Sequence, residues 1–95
     1  MRLIVSAAAM ADAQRLHEFL AEKNVEAARR AVAVIDAAVR SLEHLPFRGR
    51  PAGIAGIREL IVPFGRSAYV VRYAYLESRN EIVILRLWHS REEPI

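Results

Sequence analysis

The chain has 95 residues, of which 54% are apolar and 26% charged, and its formal charge is +3. This length predicts one domain over residues 1–95 and excludes a second, since domains usually run to roughly 100–150 residues. No apolar run approaches the ~20 residues that a bilayer requires, no secretory signal follows Met1, and Cys is absent. The composition therefore indicates a soluble, cytoplasmic protein without disulfides or membrane contact, and its Arg-rich positive charge permits an acidic protein or nucleic acid as partner.

The first half of the chain predicts a strand and two helices. Residues 2–5 form a short apolar run that ends at Ser6, a favourable N-cap, and apolar residues then recur at helical spacing over residues 7–22. Asn24 is the next N-cap, and a longer amphipathic helix follows it. Pro46 ends this helix, because the residue before a proline is pushed out of the helical region.

The second half predicts strands. Residues 46–56 are too rich in Pro and Gly for regular structure, and the apolar period then changes from 3.6 to 2 over residues 57–62, 68–75 and 82–88. Short turns between these runs predict an antiparallel meander. The predicted fold is α+β with the order β-α-α-β-β-β, a helical hairpin packed on one face of a four-stranded antiparallel sheet.

The last predicted strand is apolar on both faces. Regular alternation places Ile82, Ile84 and Trp88 on one face and Val83, Leu85 and Leu87 on the other. Two helices cover only one face of a sheet, so this pattern predicts an exposed apolar patch of the kind that binds proteins. The alternative is that loop 46–56 folds over the second face.

Few residues suit cofactor or catalytic chemistry. The three His residues, at 17, 44 and 89, lack ligand spacing, the glycines form no phosphate loop, and no Ser lies in a nucleophile elbow, so we expect neither a metal nor another cofactor. Glu59 is expected to pair with an Arg of a neighbouring strand. His89 differs, because it lies with Arg86, Trp88 and Arg91 at the end of the last strand. Such a cluster is suited to contact with a phosphate or a base, and the alternative is that it is a solvated terminus.

A series of segments in a fixed order spans almost the whole chain: residues 5–12, 49–51, 57–66, 69–73 and 83–92. They contain the motifs Arg58-Glu59-Leu60, Pro63-Phe64-Gly65-Arg66 and His89-x-Arg91-Glu92. Their order, spacing and length resemble the RelE/ParE family of type II toxin–antitoxin toxins. The fold of that family has the same β-α-α-β-β-β order that the periodicity predicts.

The resemblance implies a bacterial toxin that forms a complex with a ParD-like or similar antitoxin, whose disordered, often acidic tail wraps the toxin. Members of the ParE type inhibit DNA gyrase, whereas members of the RelE type cut messenger RNA on the ribosome. The antitoxin contacts are then expected on the helical hairpin and the sheet edge, at Leu16, Phe19, Leu20, Tyr69, Val71 and Tyr73. Contacts with the target are expected at the end of the last strand, at Arg86, Trp88, His89 and Arg91.

The choice between the two types depends on catalytic residues. RelE-type cleavage needs an activated ribose hydroxyl and a stabilised phosphate, usually with a Tyr near the C-terminus. This chain has its tyrosines on the middle strand instead. A ribonuclease reading would use Arg58, Arg72, Arg86 and His89. The motif pattern favours a ParE-like gyrase inhibitor that is not itself an enzyme, with the ribonuclease as the alternative and a stand-alone nucleic-acid-binding module as a weaker one.

Overall fold

The computed structural model describes residues 1–93, so the last two residues of the predicted domain lie outside it. Its elements are β1 (Arg2–Val5), α1 (Ala7–Ala21), α2 (Val25–Ser41), β2 (Arg50–Pro51), β3 (Ile57–Phe64), β4 (Ser67–Leu76), a 3-10 turn (Glu77–Arg79) and β5 (Glu81–His89). The predicted α+β fold, a helical hairpin on a sheet, is confirmed. Neither α1 nor α2 is long and apolar enough to cross a membrane, and residues 1–93 contain no other α-helix.

The sheet differs from the prediction in two respects. It has five strands in the order β1-β5-β4-β3-β2, and β1 runs parallel to β5, so the sheet is mixed and not purely antiparallel. The predicted meander of β3, β4 and β5 is confirmed. Apolar alternation is the same in parallel and antiparallel pairs, so residues 2–5 could not reveal their direction. The extra strand, Arg50–Pro51, lies at the sheet edge, where a proline is tolerated.

Side-chain caps start both helices where the sequence predicts. The Ser6 Oγ accepts a hydrogen bond from the Ala9 N–H at 3.1 Å, and the Asn24 Oδ1 accepts one from the Ala27 N–H at 3.0 Å. The second helix ends at Ser41, earlier than expected, because the next residues form tighter turns with bonds to the carbonyl three residues back. The two helices pack on one face of the sheet, and the core lies between them.

A β-bulge at Leu85 changes which side chains of β5 share a face. Arg72 pairs with Arg86 but Tyr73 pairs with Ile84, so Leu85 is the extra residue. Leu87 therefore joins Ile84 in the core under the helices, and Trp88 lies on the opposite face. The grouping of Ile82, Ile84 and Trp88 on one face is wrong, because regular alternation assumes a ladder without a bulge.

The loop after α2 packs on the same face as the helices. The Tyr73 hydroxyl donates to the Pro46 carbonyl at 2.8 Å and accepts from the Gly49 N–H at 2.9 Å. The Arg58 guanidinium lies over the Phe47 ring at 4.9 Å and donates to the Gly49 carbonyl at 2.6 Å. Arg58 and Tyr73 are direct cross-strand neighbours on the core face. The alternative in which this loop covers the opposite face is therefore wrong for residues 46–49.

Candidate partner-binding surfaces

The first turns of α1 bind the outer edge of β5. β1 ends at Val5, opposite Ile84, so beyond this point β5 has β4 on one side and no strand on its outer side. The Ser6 Oγ donates to the Leu85 carbonyl at 3.0 Å, and the Asp12 carboxylate accepts from the Leu87 N–H at 2.9 Å. The helix thus satisfies polar groups that would otherwise be left at an open edge.

Asp12 also binds Arg86 through both carboxylate oxygens. The Arg86 Nε lies 2.8 Å from one oxygen and Nη2 lies 3.1 Å from the other, while Asp12 is only 4% exposed. Burial alone would raise the pKa of Asp12, but the hydrogen bonds from Arg86, the Leu87 N–H and Arg15 outweigh it, so this pKa lies below its ordinary value. Arg86, predicted both as a target-binding and as a catalytic residue, is therefore held by a carboxylate of α1.

Sequence reasoning missed Asp12. It stands three residues after Ala9 and four before Leu16, and both of these residues are buried against the sheet. A carboxylate in the middle of an apolar helical stripe requires a buried partner, since a buried charge without one is costly. That position was the available signal for an ion pair, although it does not identify Arg86.

We expect Asp12→Ala to lower the free energy of unfolding by about 2 kcal/mol, because it leaves the Leu87 N–H without an acceptor. The matched control is Asp36→Ala, which removes an exposed carboxylate of α2 paired with Arg40 and should cost less than about 1 kcal/mol. Urea denaturation at neutral pH measures both. Equal losses of unfolding free energy in the two variants would show that the Asp12 contacts stabilise the fold no more than an exposed ion pair does.

The same pair predicts a dependence on pH. Because the folded-state pKa of Asp12 is depressed, its stabilising contribution is complete above the unfolded value of about 4 and is lost as the pH falls through the lower folded value. The difference in unfolding free energy between wild type and Asp12→Ala should therefore be constant near neutrality and shrink in acid. A difference that grows in acid would contradict the depressed pKa.

The residues after β5 form a compact turn, which we call the C-terminal turn (residues 89–92). The Glu92 carboxylate accepts from the Arg15 Nη1 at 2.7 Å and from the His89 N–H at 3.3 Å. The Arg91 N–H donates to the His89 Nδ1 at 3.1 Å, and the His89 ring contacts Tyr69 edge-on at 5.3 Å. Arg91 itself is exposed, and no salt bridge joins it to any residue within 1–93.

Of the four predicted target-binding residues, two are accessible at this turn. Arg91 is exposed and His89 is partly exposed. Trp88 is only 4% exposed, with the Arg72 guanidinium 4.8 Å above its ring, and Arg86 is paired with Asp12. The structure thus brings the predicted cluster to one end of the sheet, with Arg91 exposed, His89 and Arg86 partly exposed, and Trp88 buried.

The four candidate catalytic residues, Arg58, Arg72, Arg86 and His89, are not brought together on one face. Arg58 shares the core face with Tyr73 and bonds to loop carbonyls, whereas Arg72 lies on the opposite face. The Arg72 guanidinium pairs with the Glu59 carboxylate at 2.9 Å. The expectation that Glu59 pairs with an Arg of a neighbouring strand is therefore confirmed.

An apolar groove of ≈ 210 Å³ lies between α1 and α2 and reaches down to the sheet. Leu20 and Val32 line it from the two helices, and His17 and Asp36 are among its few polar lining residues. The groove is therefore suited to an apolar side chain of a partner. No cluster of three or more His, Asp or Glu residues within 1–93 could hold a metal ion.

The predicted antitoxin-binding residues divide by exposure. Phe19 is 61% exposed, with the Lys23 ammonium 5.0 Å from its ring, and Leu20 is partly exposed. Leu16 and Tyr69 line the groove but are only 7% and 5% exposed. The remaining two, Val71 and Tyr73, are completely buried beneath the helices and the loop. The expected position of the β4 residues at the sheet edge is wrong, because β4 is the central strand. A partner can thus reach Phe19 and Leu20 without opening the core.

Comparison with known proteins identifies the family. The family model described as the ParE toxin of the type II toxin–antitoxin system parDE matches residues 3–94. This chain belongs to the ParE toxin family. The resemblance to RelE/ParE toxins is thereby confirmed.

Two relatives of this ParE-family chain carry the names of different branches. Toxin RelE1 of Caulobacter vibrioides is 41% identical over 91 residues, which cover 96% of this chain and 95% of the relative. A solved structure described as the chromosomal ParDE TA system from P. aeruginosa is 26% identical, with a TM-score of 0.77, and the match covers 94% of this chain and 95% of that one. All three comparisons support a type II toxin of the ParE/RelE family, and the solved structure also supports the fold, whereas the names RelE and ParE leave the target undistinguished.

Proposed function

We propose that this ParE-family toxin inhibits DNA gyrase by binding it, without cutting nucleic acid. The observation that carries this proposal is that the guanidinium groups a ribonuclease would use are held by local partners. Arg72 pairs with Glu59, Arg86 pairs with Asp12, and Arg58 donates to loop carbonyls. A carboxylate offsets the positive charge of the guanidinium that it binds, so Arg72 and Arg86 are less able to stabilise the charge of a reacting phosphate.

The residues near His89 support the same proposal. The His89 Nδ1 accepts the Arg91 N–H, which leaves Nε2 as the nitrogen available for proton transfer. Residues 90–95 include no Tyr, the residue type that usually lies near this position in the ribonuclease branch. A surface that binds through Arg91 needs neither group.

The second candidate is a ribosome-dependent ribonuclease, and the relative named Toxin RelE1 favours it. In that case His89 would act as general acid or base. His89→Gln should then lower the cleavage rate by about 10²–10⁴-fold, the usual contribution of such a group, with ribosome binding unchanged.

One experiment separates these functions. Purified protein is incubated with gyrase and relaxed plasmid in one reaction and with translating ribosomes and labelled message in another. Inhibited supercoiling with intact message is the expected result, and cleavage of the message at codon positions with normal supercoiling would overturn the proposal. Salt-sensitive binding to free nucleic acid, with neither effect, would instead favour a nucleic-acid-binding module.

We further propose that an antitoxin neutralises the toxin by placing apolar side chains in the groove between α1 and α2, beside Phe19 and Leu20. The solved ParDE system of P. aeruginosa, which resembles this chain over 94% of its length, supports such a partner. The net charge of +3 favours an acidic antitoxin segment, because opposite charges steer association.

Phe19→Ala is expected to weaken the antitoxin complex about thirtyfold, because truncating an aromatic anchor typically costs ~2 kcal/mol. The matched control is Ile54→Ala in the loop before β3, since Ile54 is 69% exposed but belongs to neither of the two helices that form the groove. Calorimetric titration with the protein encoded by the neighbouring gene measures both affinities. An equal loss of affinity in the two variants, or no loss in either, would show that Phe19 on α1 is not part of the interface.

A further inference from the structure

The C-terminal turn is tied to α1 by a continuous series of charged groups. Arg86 binds Asp12, Asp12 lies 3.5 Å from Arg15, and Arg15 lies 2.7 Å from Glu92. The bond to Glu92 also raises the pKa of the Arg15 guanidinium. Glu92 is thus the only charged residue of the C-terminal turn that is paired with α1 in the described chain.

The pair of Arg15 and Glu92 contributes little to the stability of the fold. The two side chains are 44% and 33% exposed, and ion pairs at such positions are worth roughly 0–1 kcal/mol. The last backbone bond between β4 and the segment after β5 joins the Ser90 N–H to the Ala68 carbonyl. Beyond Ser90, the backbone relies on bonds within the turn and on Glu92.

An ordered turn binds a partner more tightly than a disordered one. Fixing the backbone of one residue costs roughly 1–2 kcal/mol of conformational entropy. A segment that is fixed before association does not bear this cost during binding. The Glu92 carboxylate closes the short segment that contains Arg91 and ties it to α1, because it accepts from the His89 N–H at the start of the segment and from Arg15.

We propose that Arg15 and Glu92 are positioning residues, which hold the C-terminal turn so that Arg91 is presented to the target. This inference rests on the proposed function, in which the turn binds the target, and it assigns a role to two residues outside the predicted contact cluster. Arg15 and Glu92 act through Arg91.

The test compares Glu92→Gln and Arg15→Met with wild type. Glu92→Gln keeps an oxygen that can accept the His89 N–H but loses the charge, and Arg15→Met keeps much of the apolar stem. The matched control is Arg29→Met, which breaks an exposed pair with Glu26 on the outer face of α2. Both turn variants should lower affinity for gyrase about tenfold, corresponding to the ordering of roughly one residue, while Arg15→Lys retains most of it.

Three readouts distinguish positioning from a general structural role. Thermal midpoints should stay close to wild type, and amide exchange at Arg91, measured by NMR, should accelerate in Glu92→Gln but not in the control. In an Arg91→Ala background, adding Glu92→Gln should have no further effect on affinity. A full additional tenfold loss in that background, or unchanged amide exchange in Glu92→Gln, would overturn the proposal.

The design also separates failure of this inference from failure of the proposed function. If wild type does not bind gyrase, the gyrase proposal is contradicted whatever the variants do. Growth inhibition by the same variants, expressed without antitoxin, then replaces affinity as the readout. If Glu92→Gln and Arg15→Met both remain toxic, the positioning role is overturned. If wild type is not toxic either, unchanged amide exchange at Arg91 in Glu92→Gln overturns it.

Discussion

Tyr73→Ala is expected to lower the free energy of unfolding by about 4 kcal/mol, the usual cost of truncating a buried aromatic side chain. Tyr73 has no exposed surface and lies at the centre of the core, and its hydroxyl bonds to Pro46 and Gly49. The fit is close, since a Cβ added at Gly49 would lie 2.7 Å from the Tyr73 ring. Urea denaturation measures the loss, and a loss below about 1 kcal/mol would contradict this role.

The control for this prediction is Tyr73→Phe, which keeps the ring and removes the hydroxyl. It should cost about 1–2 kcal/mol, because the Gly49 N–H loses its acceptor. Tyr73 was also predicted to contact the antitoxin, and its complete burial means that Tyr73→Ala would weaken the complex through the fold. A folded Tyr73→Phe variant should bind the antitoxin normally. A thirtyfold loss in that variant would instead support a direct contact.

Arg91→Glu is expected to lower affinity for gyrase at least about thirtyfold, because an interface Arg often contributes ~2 kcal/mol or more to the binding free energy. Toxicity should fall in proportion to the lost gyrase affinity. Arg91 is exposed at the C-terminal turn and makes no salt bridge with any other residue of 1–93, so its charge is available to a partner. Charge reversal also creates three consecutive acidic residues with Glu92 and Glu93. Supercoiling inhibition and direct binding at two salt concentrations measure the effect.

The matched control is Arg79→Glu, in the turn between β4 and β5 at the other end of the sheet. It makes the same change in net charge at another exposed position. We expect it to lower affinity for gyrase less than about threefold, as is usual for a charge outside the centre of an interface. Equal losses in the two variants would mean that the total charge of the protein, and not the C-terminal turn, governs association.

Most of the fold could be predicted because its signals are local. Ser6 and Asn24 cap the helices through bonds to residues three positions later, and the change of period after residue 56 marks the meander. The direction of β1 and the short strand β2 depend on pairing across the sheet, which periodicity does not encode. The bulge at Leu85 likewise depends on the register with β4, and it exchanges the faces of the side chains that follow it.

The sequence groups the residues of the candidate site but does not reveal which of them are paired or buried. The sequence puts Arg86, Trp88, His89 and Arg91 together because they are near neighbours in the chain. It does not reveal which cations are already paired, because Arg86 meets Asp12 across 74 positions and Arg72 meets Glu59 across 13. The sequence also does not reveal burial, and Trp88 is inaccessible to a partner because it lies beneath the Arg72 guanidinium.

The contacts of Ser6 and Asp12 with β5 have a consequence for specificity. An open strand edge lets a foreign segment extend the sheet through backbone bonds, which are nearly indifferent to sequence. Here α1 occupies that edge beyond β1, and the outer strands are β1, with four residues, and β2, with two residues that include a proline. Strand addition is therefore limited at this edge of β5, and a partner that binds there must be selected by its side chains. If the antitoxin occupies the groove as proposed, a few substitutions in the groove and in the antitoxin would be enough to prevent related toxin–antitoxin pairs from binding one another.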